Sequence, residues 1–107
     1  MSTLTKITSA TELPISIFTD AEYERMAKIF SNILSERKRQ QVKWGDQSGN
    51  LNVVWSTILT EEVGEAAKAV LQLDFEHGDT REELRNELIQ VAAVAVAWVE
   101  ALDKNAD

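Results

Sequence analysis

The sequence predicts an all-α fold, and three observations carry this prediction. Apolar residues recur at helical spacing through three segments, two Thr-x-x-Glu sequences mark helix starts, and no segment has the alternating pattern of a strand. The chain has 107 residues, enough for one domain with one hydrophobic core. We therefore expect a helical domain over residues 19–107, preceded by an N-terminal extended arm over residues 1–18. Ser, Thr and Pro14 dominate this arm, which packs on a neighbour or is simply a frayed terminus.

The first helix has a clear predicted start and end. Thr19 and Glu22 have the spacing of a capping box, and Phe18 with Tyr23 has that of a hydrophobic staple. Gly45, directly after Trp44, is typical of a helix C-cap. The inward stripe is predicted to comprise Tyr23, Met26, Phe30, Ile33 and Leu34.

The second helix is predicted to begin at Asn50 or Asn52 and to run to about Leu73. Gly64 lies inside it and costs about 1 kcal/mol relative to Ala, so we expect close approach of another helix or a ligand there. A turn follows at residues 74–79. The inward stripe of this helix is predicted to comprise Val54, Trp55, Ile58, Leu59, Glu62, Ala66, Ala69, Val70 and Leu73.

The third helix is predicted to start at a second capping box, Thr80 and Glu83, and to end near Asp103. From residue 88 to residue 99 it is apolar on every side apart from Gln90. Such a helix must be covered on every side, which one three-helix chain does not easily achieve. We therefore expect a homo-oligomer, a dimer or a tetramer, with this helix at the subunit interface.

Acidic residues on the second and third helices point to a metal site. If these helices form an antiparallel hairpin, Glu65 lies opposite Glu87 and Glu62 lies opposite Gln90. Clustered carboxylates raise each other's pKa, and a divalent cation commonly holds them ionised. Ligand sets made only of oxygen favour Mg²⁺ or Mn²⁺. Glu61 is adjacent, and solvent exposure is the simpler interpretation for it.

The alternative is that all these residues are surface glutamates in good helix-forming sequence. Glu62, however, interrupts an apolar stripe, and Glu87 is in line with apolar residues of the third helix, so both positions are wrong for solvated charges. Gln90 remains open between a neutral oxygen ligand and a buried amide bonded to the neighbouring helix.

A pocket is predicted where the stripe of the first helix turns polar, at Arg37, Gln41 and Trp44. Arg37 is suited to hold a phosphate, and Trp44 to stack on a base. The alternative pairs Arg37 with a glutamate and makes Trp44 a cap on the core. Lys68 lies one turn after Glu65 and is suited to a salt bridge or to a phosphate contact.

Composition excludes several classes of function. A net charge of −7 disfavours binding to a nucleic-acid polymer or to an anionic membrane. The absence of cysteine excludes disulfides and thiolate metal sites. No apolar run has membrane-spanning length and no signal peptide is recognisable, so we expect a cytoplasmic protein.

The acidic pattern resembles a known signature. Glu61-Glu62-Val63-Gly64-Glu65 followed by Glu87-Leu88-Ile89-Gln90 resembles the EExxE…ExxD signature of the MazG-like all-α nucleoside triphosphate pyrophosphatases. The stretch Glu36-Arg37-Lys38-Arg39-Gln40-Gln41 with Lys43-Trp44-Gly45 is similar to the segment before that signature in a small bacterial and phage branch. The resemblance extends over about residues 36–102.

The resemblance implies a helical bundle that dimerises or tetramerises and hydrolyses (deoxy)nucleoside triphosphates to monophosphate and pyrophosphate, as in nucleotide-pool house-cleaning. It implies Mg²⁺ as cofactor, with Glu62, Glu65 and Glu87 as ligands and Glu61 supporting them or binding a further ion. As a separate hypothesis about the mechanism, Glu61 or Glu65 accepts the proton of the attacking water. Gln90 stands where the family has its final Asp; it offers an oxygen without the charge. Two alternatives follow: a nucleotide- or protein-binding module that has lost activity through Gln90, and a purely structural helical oligomer.

Overall fold

The described part of the chain is entirely helical apart from short connections. A computed structural model describes residues 17–75 and 81–106, which form three α-helices and no strand: α1 (Asp20–Trp44), α2 (Asn52–Phe75) and α3 (Arg81–Lys104). The predicted all-α class is confirmed. None of the helices in these ranges has both the length and the apolar character needed to cross a membrane. Most of the predicted arm, the residues 76–80 of the predicted turn, and Thr80 of the second capping box lie outside the described residues.

Local sequence signals define both ends of α1. The Thr19 hydroxyl accepts the Glu22 backbone N–H at 3.2 Å, and the Glu22 carboxylate accepts the Thr19 N–H at 3.1 Å. The rings of Phe18 and Tyr23 pack edge to face with centroids 5.5 Å apart. At the other end, Gly45 adopts φ 73° and donates its N–H to the carbonyl of the last turn. The capping box, the staple and the C-cap are all confirmed.

The connection between α1 and α2 is attached to the end of α3. Asp46 accepts the Ser48 backbone N–H at 2.9 Å, which stabilises the turn. Lys104 donates to the Asp46 carboxylate at 3.5 Å, and Asn105 donates to the Ser48 carbonyl at 2.9 Å. The start of α2 at Asn52 is the second of the two predicted positions.

The third helix is the centre of the fold. It packs against both α1 and α2, whereas no Cα atoms of α1 and α2 come within 8 Å of each other in the described residues. Trp98, late in α3, donates its indole N–H to Asn52 at the start of α2 at 2.9 Å, so α2 and α3 are antiparallel, as the hairpin prediction requires. Arg85 contacts Asn32 and Glu100 contacts Arg37, so α1 runs parallel to α3.

The core of the single chain is small, and much of the apolar surface remains exposed. The buried cluster comprises Trp55, Val94, Ala97 and Ala101, with Ile58, Leu59 and Trp98 packed against it. In α1, Met26 and Ile33 are half-buried, but Tyr23, Phe30 and Leu34 are exposed. The predicted inward stripe of α1 is therefore wrong for these three residues, because α1 has only one neighbouring helix. The side of α3 that faces neither helix exposes Leu88, Val96, Val99 and Leu102.

The surroundings of Gly64 differ from the prediction that another helix or a ligand approaches it closely. No heavy atom of the described chain lies within 4 Å of the position that a Cβ would occupy there, apart from its own helical neighbourhood. The residue is exposed on α2. The described chain therefore supplies no helix that would compensate for the glycine.

Candidate metal centre

Acidic side chains from all three helices lie near one another where α1 and α2 pack on α3. This region, the acidic cleft, is defined by Glu36 on α1, Glu62 and Glu65 on α2, and Glu87 on α3. Glu65 and Glu87 line one cavity of about 300 Å³, together with Gln90. Glu36 and Gln90 line a second cavity of about 490 Å³ on the α1 side. The antiparallel hairpin thus brings together Glu65, Glu87 and Gln90, as the sequence predicts.

Glu62 is the residue on which the charges of the cleft act most strongly. Burial raises the pKa of its carboxyl group, and the negative charges of Glu87, Glu36, Glu65 and Glu61, in that order, raise it further. Its Oε2 atom is buried and has no hydrogen-bond partner. Both findings fit the prediction that this position is unsuited to a solvated charge.

Glu87, on the facing helix α3, also has a buried carboxylate oxygen. Its Oε2 atom is buried without a hydrogen-bond partner. A buried carboxylate oxygen that accepts no hydrogen bond is costly, so sites of this kind commonly bind a proton or a cation. Two such oxygens, from Glu62 on α2 and Glu87 on α3, provide the hard anionic ligands that Mg²⁺ and Mn²⁺ prefer.

The carboxylates of the described residues do not form a complete coordination shell for a metal ion. Among residues 17–75 and 81–106, no three histidine, cysteine or acidic side chains lie close enough together to hold a metal ion. Glu61 is exposed and acts on Glu62 more weakly than Glu87, Glu36 and Glu65 do. The structure therefore gathers the predicted ligands around one cleft without joining them at one point.

Sequence reasoning missed Glu36. Its side chain is only 12% exposed, and both of its oxygens accept hydrogen bonds from Arg39 at 2.7 Å. Gln40, which is buried, donates to Glu36 as well, at 3.3 Å. The signal was its position three residues after Ile33, in the half-buried stripe that faces α3. Arg39 offsets part of the negative charge that Glu36 adds to the cleft.

Gln90 occupies the boundary between the two cavities of the cleft. It is half-buried, and its side chain makes no hydrogen bond to any other described residue. A buried amide bonded to the neighbouring helix, one of the two interpretations, is therefore not observed. Lys68 is exposed and lines the cavity of Glu65 and Glu87, where its charge opposes theirs.

The pocket predicted near the end of α1 is present in part. Arg37 and Gln41 line a cavity of about 200 Å³ between the ends of α1 and α3. Arg37 donates to Gln40 at 3.2 Å and lies 3.9 Å from the Glu100 carboxylate, so it has the acidic partner that the alternative interpretation expects. Trp44 does not line this cavity. The residue is 48% exposed, and the Lys43 ammonium lies over its ring, 4.8 Å from the ring centroid.

Trp55 is a second residue whose place at a cavity was missed from the sequence, which assigned it to the core alone. It is 4% exposed and lines the cavity of Arg37 and Gln41. Its indole nitrogen is buried without a hydrogen-bond acceptor, which is uncommon for a buried tryptophan. The unpaired donor therefore belongs to a residue that lines the same cavity as Arg37.

The chain matches no family model, no curated protein and no solved structure.

Proposed function

We propose that the chain is a metal-dependent nucleoside triphosphate pyrophosphohydrolase of the MazG-like type, with its reaction centre in the acidic cleft. The observation that carries this proposal is the pair of buried carboxylate oxygens, on Glu62 and Glu87, that have no hydrogen-bond partner. A divalent cation bound beside these residues would satisfy both oxygens, and the EExxE…ExxQ pattern would supply further ligands. The resemblance of the two helical segments to the MazG-like signature supports the choice of substrate.

In this proposal each cleft residue has a defined role. Glu62, Glu65 and Glu87 would hold the Mg²⁺ or Mn²⁺ ion, and Gln90 would add a neutral oxygen. When bound, the metal offsets the phosphate charge and makes a coordinated water more acidic. Glu61 or Glu65 accepts the proton of the attacking water, and the fixed charges of the cleft orient the triphosphate.

In this proposal the nucleoside end of the substrate binds near the C-terminal end of α1, in the cavity that Arg37 and Gln41 line. The unpaired indole N–H of Trp55 is suited to a carbonyl oxygen of a base or to a sugar hydroxyl. The exposed ring of Trp44 is available to stack on a base from outside this cavity. Arg37 binds substrate only after exchanging its contact with Glu100.

We also propose that the active form is a homo-oligomer, a dimer or a tetramer, assembled through α3. Side chains spaced by about 100° per residue divide α3 into three sides. One side meets α2, a second meets α1, and the third exposes four large apolar residues, Leu88, Val96, Val99 and Leu102. An apolar helix side of this length is typical of a surface that a second subunit covers.

The test is pyrophosphate release from a panel of ribo- and deoxynucleoside triphosphates with Mg²⁺, with Mn²⁺ and with EDTA. We expect metal-dependent release by the wild-type protein. Replacing Glu62 with Gln should reduce turnover at least about a hundredfold, because the substitution removes the charge at the most strongly coupled ligand position. The matched control is Glu24→Gln, an exposed glutamate on α1. Equal turnover by wild type and Glu62→Gln would contradict the proposal.

Gln90 favours a second candidate, a nucleotide-binding module without hydrolysis. It lines both cavities of the cleft at the position where the signature has an acidic residue. Loss of that charge weakens metal binding and removes a possible base. Metal-dependent nucleotide binding with no pyrophosphate release from any member of the panel selects this candidate.

A further inference from the structure

A basic groove lies between the N-terminal halves of α1 and α3. It is defined by Arg25 and Lys28 on α1 and by Arg81 and Arg85 on α3, and it has a volume of about 570 Å³. The chain has a net charge of −7 and only 11 Lys and Arg residues, so four of them in one groove form a marked local concentration of positive charge. Glu82 is the acidic residue that also lines it.

Two of the four basic side chains have no partner among the described residues. The side chains of Arg25 and Lys28 form no ion pair or hydrogen bond with any other residue in the part of the chain that the structure describes. Arg85 donates to the Asn32 side chain at 2.7 Å, and this partner is a neutral amide. Because arginine and lysine at such positions attract phosphate oxygens, the groove is suited to a polyanion.

The basic groove is continuous with the acidic cleft. Arg85 and Asn86 line the groove and also the cavity that contains Glu36 and Gln90. Asn86 lines, in addition, the cavity of Glu65 and Glu87. A phosphate chain held at the carboxylates therefore has a path toward the basic side chains along the start of α3. The positive end of the α3 dipole lies at the same end of the helix and adds to the attraction.

We propose that the basic groove binds the β- and γ-phosphates of the nucleotide, the two that are released as pyrophosphate. This inference rests on the proposed function. Hydrolysis breaks the anhydride linkage between the α- and β-phosphates: water gives a hydroxyl group to one phosphorus, the bridging oxygen keeps the bonding electrons on the other phosphate, and the proton passes to a cleft carboxylate. The groove stabilises the negative charge on the β,γ side, which the acidic cleft alone would repel.

The test compares one charge reversal in the groove with the same change elsewhere on α1. Lys28→Glu lies in the groove, whereas Lys38→Glu lies on an exposed part of the helix that lines neither the groove nor the cleft. Binding of inorganic pyrophosphate and of tripolyphosphate is measured by calorimetry in the presence of Mg²⁺, together with product inhibition and KM. We expect Lys28→Glu to weaken pyrophosphate and tripolyphosphate binding by about tenfold or more, and Lys38→Glu to weaken it less than about twofold.

The outcomes separate this inference from the proposed function. If the wild type hydrolyses nucleotides but Lys28→Glu leaves pyrophosphate binding, product inhibition and KM unchanged, the inference is wrong and the function stands. If the wild type releases no pyrophosphate, the function fails, and loss of tripolyphosphate binding in Lys28→Glu alone still supports the groove. Equal binding by both variants overturns it. Lys28→Arg, which keeps the charge, should retain wild-type binding, and circular dichroism verifies that each variant is folded.

Discussion

At the scale of single residues, Glu62 is the most consequential position of the fold. Its carboxyl group is partly buried beside Glu87, Glu36 and Glu65, and the folded state therefore binds a proton at this site more tightly than the unfolded chain does. Arg39 of α1 is the nearby opposite charge, but it is already bonded to Glu36. The ionised form of Glu62 thus opposes folding, whereas a bound cation reverses the effect.

The raised pKa of Glu62 predicts how the free energy of unfolding depends on pH when metal is removed with EDTA. Where the folded state binds more protons than the unfolded state, the free energy of unfolding falls as pH rises. We expect this fall to begin near the ordinary pKa of glutamate, about 4.3, and to level off above the raised pKa of Glu62. Urea denaturation from pH 4 to pH 8 measures it. Glu62→Gln should flatten this part of the profile and Glu24→Gln should not; equal profiles would refute the assignment.

Two glycines should respond oppositely to substitution. Gly64 is helical with open space around its Cβ position, so Gly64→Ala should raise the free energy of unfolding by about 1 kcal/mol. Gly45 has φ 73°, a conformation that side chains disfavour, so Gly45→Ala should lower it by about 1 kcal/mol. Thermal or urea denaturation tests both. Destabilisation by Gly64→Ala would mean that this surface is packed against another molecule.

Residue-level prediction succeeded where one helix or one hairpin determines the outcome. The proximity of Glu65 to Glu87 follows from the spacing of two helices that are adjacent in sequence. Glu36 was missed because helical spacing places it in line with Ile33 but does not show that this side of α1 packs on α3, which is a long-range arrangement. Trp55 was predicted to be buried, and it is, but an unpaired indole nitrogen cannot be recognised from an apolar stripe.

At the scale of elements, helix bounds were predictable because their signals are local. The capping box and staple at Thr19 and Phe18, and the glycine after Trp44, each depend on residues fewer than six positions apart. α2 extends two residues beyond its predicted end at Leu73, within the ordinary uncertainty of helix ends. The direction in which α1 turns its apolar residues was not predictable to the same degree. Sequence periodicity identifies an apolar side but does not specify which neighbour covers it.

At the scale of the whole molecule, the fold separates two kinds of surface. The acidic cleft, where α1 and α2 pack on α3, adjoins the basic groove, whereas the third side of α3 is apolar. Burial in the single chain is correspondingly low: the most buried apolar residues are Trp55 and small or medium side chains of α2 and α3. A second copy covering α3 would add the apolar burial that a domain of this size needs for stability.

The proposed assembly makes a prediction that sedimentation equilibrium can test directly. Val99 is 56% exposed on the third side of α3, and Val99→Glu should convert the oligomer to a lower mass, because a charge in the interface must be desolvated without a partner. Val42 is 89% exposed on α1 and provides the matched control, since Val42→Glu makes the same change on a different helix. We expect Val42→Glu to retain the wild-type mass. A wild type that is already monomeric at micromolar concentration, or equal masses for wild type and Val99→Glu, would contradict an interface at α3. Dissociation by Val42→Glu alone would instead locate the interface on α1.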